Sequence, residues 1–253
     1  MLIDTHCHLA HPSLASRLSR VIDAGRRAGV EMIVVPGIGP EDWERINDLQ
    51  MEREEIRPAY GLHPMRAPLF CGDVPARLEL LARSAVAIGE IGLDYTLSDV
   101  PRPLQITAFR SQLRLASSCG LPVLIHCRKA FQDLLSIIRD AEIRKTGGVM
   151  HAFSGSPETA EECVRLGLYI SVAGTVTFSN AVRPLEVVKR IPLRHLLLET
   201  DAPDLTPEPF RGRVNEPAYI VEIARKVAEI KGVTVEEVAA ATTANAKRLF
   251  RLN

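Results

Sequence analysis

Short apolar runs alternate with longer amphipathic stretches along the whole chain. Leu2-Ile3 opens a strand that runs on to His8. From Leu14 to Ala28, apolar residues at Leu14, Leu18, Val21, Ile22 and Ala28 recur at close to helical spacing. Residues 31–37 form a buried-type strand closed by Pro36-Gly37, and Pro40 to Glu54 reads as a charged helix with proline at its first position. Further strands are predicted over 57–64, 85–90, 121–126, 149–151, 168–172 and 195–201. Helices are predicted over 74–83, 104–118, 131–144, 157–166 and 181–190, with closing helices over 217–230 and 235–250. Gly92 to Pro103 reads as a loop. Eight strand–helix units in 253 residues predict a (β/α)8 TIM barrel. One domain is expected over 1–253, with an extra C-terminal helix. A doubly wound open sheet competes, but the first βα turn lacks the G-x-G-x-x-G fingerprint of its nucleotide-binding form.

The strand ends carry the chemistry. In an extended backbone His6 and His8 share a face and Cys7 points away. Two imidazoles on one face are a ready pair of metal ligands, although His-x-His alone is a weak signal. Five of the seven histidines (His6, His8, His63, His126, His151) fall at the C-terminal end of a predicted strand, as do Glu90 and Asp201. In a barrel those ends meet at one mouth, where active sites of this fold lie. His6, His8, Glu90, His126, His151 and Asp201 are too many ligands for one tetrahedral zinc and suit two divalent ions bridged by a carboxylate. Their identity, Zn, Mn or Mg, is not legible in the donor types. Asp201 is the expected base toward an attacking water. His63 is expected to contact substrate. Arg66, Arg128, Lys129 and Arg211 lie in loops on the mouth side and could supply phosphate donors. Glu199 either orients a ligand or is a buried partner, and Asp94 reads as a turn residue. His11 lies in the loop after the His-x-His motif, and His195 begins strand 8, at the opposite end of the barrel.

Charge narrows the substrate. Lys+Arg and Asp+Glu are both 31, so no global basic field exists, and a nucleic-acid substrate must be held locally at the mouth. No apolar run approaches membrane-spanning length. Five scattered cysteines without a C-x-x-C, and a first stretch that lacks a leader pattern, predict a reducing cytoplasm. No obligate protein partner is legible.

Six motifs in order resemble one family. They are Asp4-Thr5-His6-Cys7-His8, Gly61-Leu62-His63-Pro64, Gly89-Glu90-Ile91-Gly92-Leu93-Asp94, Leu121-Pro122-Val123-Leu124-Ile125-His126, His151-Ala152-Phe153-Ser154-Gly155 and Leu198-Glu199-Thr200-Asp201-Ala202-Pro203. Together they closely resemble the TatD-related metal-dependent hydrolases, of the amidohydrolase-like superfamily. The resemblance implies a dinuclear site from His6, His8, Glu90, His126, His151 and Asp201, with Glu90 bridging and catalytic. It also implies deoxyribonuclease action of the 3′-to-5′ exonuclease kind. Thr96, Cys127 and Asp204 depart from the commonest pattern and bear on substrate rather than on the ligands. The rival readings are another hydrolysis on the same site, of an aminoacyl-tRNA ester or a C–N bond, and a degenerate barrel that serves as a binding protein.

Overall fold

The computed structural model describes residues 1–141 and 143–252. Its strands are β1 (Leu2–Asp4), β2 (Val30–Pro36), β3 (Ile56–Tyr60), β4 (Ala87–Asp94), β5 (Val123–Arg128), β6 (Gly148–Met150), β7 (Leu168–Val172) and β8 (Leu196–Leu198). They form one eight-stranded parallel sheet in sequence order. The sheet curls into a nearly closed barrel. β8 meets β1 through single hydrogen bonds: the Thr5 amide and hydroxyl both donate to Leu198 O, at 3.1 and 2.9 Å, and Asp201 N–H donates to His6 O at 2.9 Å. The expected TIM-barrel architecture is therefore present.

The helices between and after the strands are α1 (Pro12–Ala15), α2 (Leu18–Arg27), α3 (Pro40–Glu52), α4 (Val74–Leu81), α5 (Arg102–Cys119), α6 (Phe131–Asp140), α7 (Pro157–Arg165), α8 (Arg183–Arg190), α9 (Ile220–Lys231) and α10 (Val235–Phe250). Local chemistry sets several of their ends. Ser156 caps α7 by accepting the Thr159 amide, Gly120 ends α5 in the left-handed region at φ 66°, and Thr234 with Glu237 makes a capping box on α10. Among the described residues no helix is long and apolar enough to cross a membrane.

Strand alternation divides the core in two. Ile3, Val34, Ala59, Ala87, Leu124, Val149 and Leu197 form one cluster, with Ala246, Leu249 and Phe250 of α10 packed against them. This is the barrel interior, and α10 closes its N-terminal end. Alternate residues such as Ile33, Val35, Ile88, Ile125 and Ile170 face the helices in the larger cluster. Filling the bottom of the barrel with hydrocarbon leaves the opposite end for polar groups.

Several boundaries differ from expectation. The first helix is broken into α1 and α2, and Arg17 between them pairs with Glu216 at 2.7 Å. The stretch expected as helix over 131–144 is helical to Asp140, and residue 142 lies outside the described residues. Most consequentially, β4 does not end at Glu90 but continues to Asp94, and β5 runs past His126 to Arg128. Gly92 and the residues after it read as a loop because glycine usually punctuates. Here φ at Gly92 is +147°, and the missing side chain lets β4 lie against the His126 carbonyl. The β4–β5 register shifts between Ile88 and Ile91, so Glu90 sits at an irregularity in mid-strand rather than at a strand end. Such irregularities re-aim side chains at barrel rims.

Candidate metal centre

Glu90 is the hub of the mouth. Its side chain is only 3% exposed, and its two oxygens face two groups of imidazoles. Oε2 lies 3.3 Å from His6 Nε2 and 3.6 Å from His8 Nε2. Oε1 lies 3.0 Å from His126 Nδ1, 3.1 Å from His151 Nε2 and 3.7 Å from His63 Nε2. Asp201 Oδ1 joins the first group, 3.6 Å from His8 Nε2 and 3.8 Å from His6 Nε2. All six residues expected as ligands thus converge, together with His63. The side-chain alternation argued for His6 and His8 holds: their Nε2 atoms are 3.2 Å apart and Cys7 is fully buried. His6, His8, His151 and Asp201 lie just beyond the strand ends, where the backbone is freed from the ladder.

A layer of hydrogen bonds fixes these rings. Asp94 Oδ2 meets His126 Nε2 at 3.2 Å, while its Oδ1 accepts the Thr96 amide and hydroxyl. Asp94 is therefore both a turn residue and the group that orients His126. Carrying the strand through Gly92 puts Asp94 on Glu90's face by alternation, but only the β4–β5 register brings it to His126. Gln105 holds the Asp94 backbone from both sides, accepting its N–H at 2.9 Å and donating to its carbonyl at 3.0 Å. Glu199 is fully buried; its Oε1 meets His151 Nδ1 at 3.2 Å and accepts the Ala152 amide. Asp4 accepts the Thr200 amide and hydroxyl, at 2.9 and 2.5 Å, tying β1 to the segment that carries Asp201. Asn215 clamps that segment, donating to Thr200 O and Asp204 O. The roles of Asp4 and Asn215 are not legible locally, because their partners lie across the barrel seam or along a loop.

Burial and the surrounding charges compete at the centre. Burial would raise the Glu90 carboxyl, but His151, His63 and His6, with the His126 hydrogen bond, hold it well below the usual range. Asp201 is likewise opposed by burial and lowered by His151, His8 and His6. Burial lowers His151, yet Glu90, Glu199 and Asp201 outweigh it and raise that ring well above its ordinary value. His8 and His126 are also raised by their carboxylates against burial, whereas burial wins at His6 and takes His63 down to about 3. Asp4, fully buried, is pushed up to about 7.

The donor chemistry fits divalent cations. Three clusters with ligand atoms mutually within 4.8 Å occur among the described residues: His6-His8-Glu90, His63-Glu90-His126 and His6-His151-Glu199. Imidazole nitrogen and carboxylate oxygen suit zinc, manganese and related ions. Among the described residues, two buried polar atoms at the centre, His6 Nδ1 and Glu199 Oε2, have no hydrogen-bond partner.

Beside the centre lies a cleft of about 390 Å³. His126, His151 and Asp201 form part of its wall, with Arg128, Phe153 and Arg183. Of the arginines expected to bind substrate, Arg128 lines this cleft. Arg66 is held by Glu41 at 2.5 Å, and Arg211 lies 3.7 Å from Glu208 and over the Phe178 ring. Arg66 is engaged by a carboxylate of α3 and Arg211 by one of its own loop, and neither is among the residues lining the cleft. His11 caps α1 instead of joining the centre. Arg183 has no counterpart in the sequence reading, because a lone arginine at a helix start looks like solvated surface.

A family model described as TatD related DNase matches residues 3–251. A protein of Bacillus subtilis called uncharacterized metal-dependent hydrolase YabD is 44% identical over 255 residues, covering 100% of both chains. The 3′-5′ ssDNA/RNA exonuclease TatD of Erwinia tasmaniensis is 34% identical over 259 residues, covering 99% of this chain and 100% of its own. Among solved structures, the TatD homologue YJJV of Escherichia coli superimposes with a TM-score of 0.94 at 33% identity, covering 100% of this chain and 98% of that one. With its barrel, its histidine–carboxylate mouth and this end-to-end similarity, the chain belongs to the TatD-related family of metal-dependent hydrolases.

Proposed function

We propose that this hydrolase cleaves phosphodiester bonds in nucleic-acid strands, DNA foremost, by 3′-to-5′ exonuclease action with two divalent cations, Zn, Mn or Mg. The observation that carries the reading is the division of Glu90. One oxygen faces His6 and His8, and the other faces His126 and His151, as expected of a carboxylate shared by two ions. His6, His8 and Asp201 would hold one cation and His126 and His151 the other. When bound, such cations make a nearby water more acidic and neutralise charge developing at phosphorus.

The chain's own residues supply the rest. Asp201, kept ionised by the surrounding imidazoles, accepts at Oδ1 a proton from the attacking water. As the new bond from that water oxygen to phosphorus forms, the bond to the leaving sugar oxygen breaks, and Asp201 returns the proton to that oxygen. Asp94 and Glu199 keep the His126 and His151 rings in place through the cycle. His63, held neutral by burial, is positioned to donate to substrate or to complete the second group. Arg128 provides a phosphate donor in the cleft wall. The relative of Erwinia tasmaniensis named as a single-strand exonuclease supports the same substrate.

The experiment is a substrate panel with magnesium, manganese or zinc: single-stranded and duplex DNA, RNA, closed circular duplex, aminoacyl-tRNA and simple diesters. Degradation from strand ends is expected, with closed circles resistant, because a neutral surface gives no general grip on duplex. Equal cleavage of closed circles would refute end-directed action. Hydrolysis of the aminoacyl ester alone would move the chain to a different ester.

A further inference from the structure

Arginines near the mouth are mostly spoken for. Arg17 pairs with Glu216, Arg66 with Glu41 and Arg211 with Glu208. The two that line the cleft are different. Among the described residues neither Arg128 nor Arg183 meets a carboxylate or makes any other side-chain hydrogen bond, and both are exposed. They arrive from different units of the barrel, Arg128 at the end of β5 and Arg183 as the first residue of α8. Thr175 adds a hydroxyl on the same cleft, and Phe153 and Leu205 give it an apolar wall. In a chain of zero formal net charge, two unneutralised guanidinium groups beside the centre are a local concentration of positive charge.

A guanidinium matches a phosphate bidentately, and an apolar wall beside it suits a sugar or base. Arg128 is two residues from His126, within the unit that serves the centre, and is the natural partner of the group being cleaved. Arg183 reaches the same cleft from α8, an element that supplies none of the converging imidazoles or carboxylates. The cation there has no task in an isolated diester, but it meets the next link of a strand. We propose that Arg183 is a specificity-determining residue that binds the phosphate adjoining the scissile one, so that the site selects polynucleotide strands over isolated phosphodiesters. This rests on the phosphodiesterase reading above.

The test compares wild type and Arg183→Ala on a single-stranded DNA oligonucleotide and on bis(4-nitrophenyl) phosphate, which has one phosphate. Fluorescence anisotropy follows binding of the oligonucleotide to metal-free protein, with each linkage adjoining the scissile one replaced in turn by uncharged methylphosphonate. Arg183 is exposed, so the variant is expected to fold, and its melting curve checks this. The oligonucleotide-to-diester ratio of kcat/KM is expected to fall about 10-fold or more, as loss of a charged hydrogen bond implies. One methylphosphonate position should weaken wild-type binding by a similar factor and weaken the variant no further, the signature of a direct pair. Arg183→Lys should restore part of the ratio. An equal loss on both substrates, or wild-type binding indifferent to methylphosphonate on either side, overturns the assignment of Arg183 and leaves the phosphodiesterase reading standing. Failure of wild type to hydrolyse either substrate with any of the three metals overturns that reading, and the assignment with it.

Discussion

Glu199→Gln removes one buried charge while keeping the side chain's shape. Glu199 Oε1 faces His151 Nδ1 at 3.2 Å and accepts the Ala152 amide at 2.5 Å. A carboxylate at Nδ1 holds the proton on that nitrogen and frees Nε2, 3.1 Å from Glu90 Oε1, to bind a cation. Glutamine retains an acceptor, but a neutral one, and charge-assisted hydrogen bonds are roughly twice as strong. Its amide N–H2 must also occupy the place of Oε2, which has no hydrogen-bond partner among the described residues. Loss of such an orienting group lowers metal affinity by roughly 10–100-fold, or about 1.4–2.7 kcal/mol. The metal-free fold should weaken as well, because one partner of a buried charged pair with the His151 ring is lost. Calorimetric titration with zinc, alongside the melting temperature of the metal-free protein, separates the two effects. A visible spectrum of the cobalt-loaded protein should shift as His151 reorients. Affinity within about twofold of wild type, with an unchanged spectrum, would refute the reasoning. It would mean that His151 is held by stacking on the His6 ring, 3.8 Å away, rather than by the carboxylate.

Three other outcomes are expected. Glu90→Gln should keep the fold, bind fewer metal ions per chain by elemental analysis and lose metal-dependent hydrolysis, since one amide cannot offer two anionic oxygens; near-normal turnover at full metal occupancy would contradict the site. Metal affinity should weaken as pH falls from neutral, because His8, His126 and His151, raised in the metal-free centre, then hold protons that a cation must displace. The sign reverses for the metal-free fold: its imidazolium–carboxylate pairs stabilise it below the raised values and lose that contribution as pH rises through them. Calorimetry in buffers of different ionisation enthalpy reads the released protons, and affinity independent of pH would remove this account. Gly92→Ala should destabilise the protein by roughly 3 kcal/mol, lowering Tm by about 6–12 °C, because an added Cβ would collide with the His126 carbonyl at a φ that side chains avoid; an unchanged melting curve would show that β4 and β5 can separate at no cost.

Periodicity and residue type carried a great deal. The alternation of apolar runs with helical patterns determined eight strand–helix units, and with them a barrel whose strand ends share one mouth. The offset of two between His6 and His8 determined that they point together, because backbone pleating is a local property. What tertiary structure alone decided is whatever depends on neighbours distant in sequence. Gly92 looks like a breaker until the His126 carbonyl is seen against it, so the true length of β4 and the role of Asp94 were hidden together. Glu199 divided evenly between two roles until His151, 48 positions earlier in the chain, came within 3.2 Å of it. The four candidate cations looked alike in sequence, since a solvated arginine and a waiting one have the same neighbours along the chain. Glu41 and Glu208 occupy two of the arginines, and Arg183, from a different unit, lines the same cleft as Arg128. Local order specifies which way a side chain leaves the backbone, but charge pairing is settled by whichever group the folded chain brings within reach.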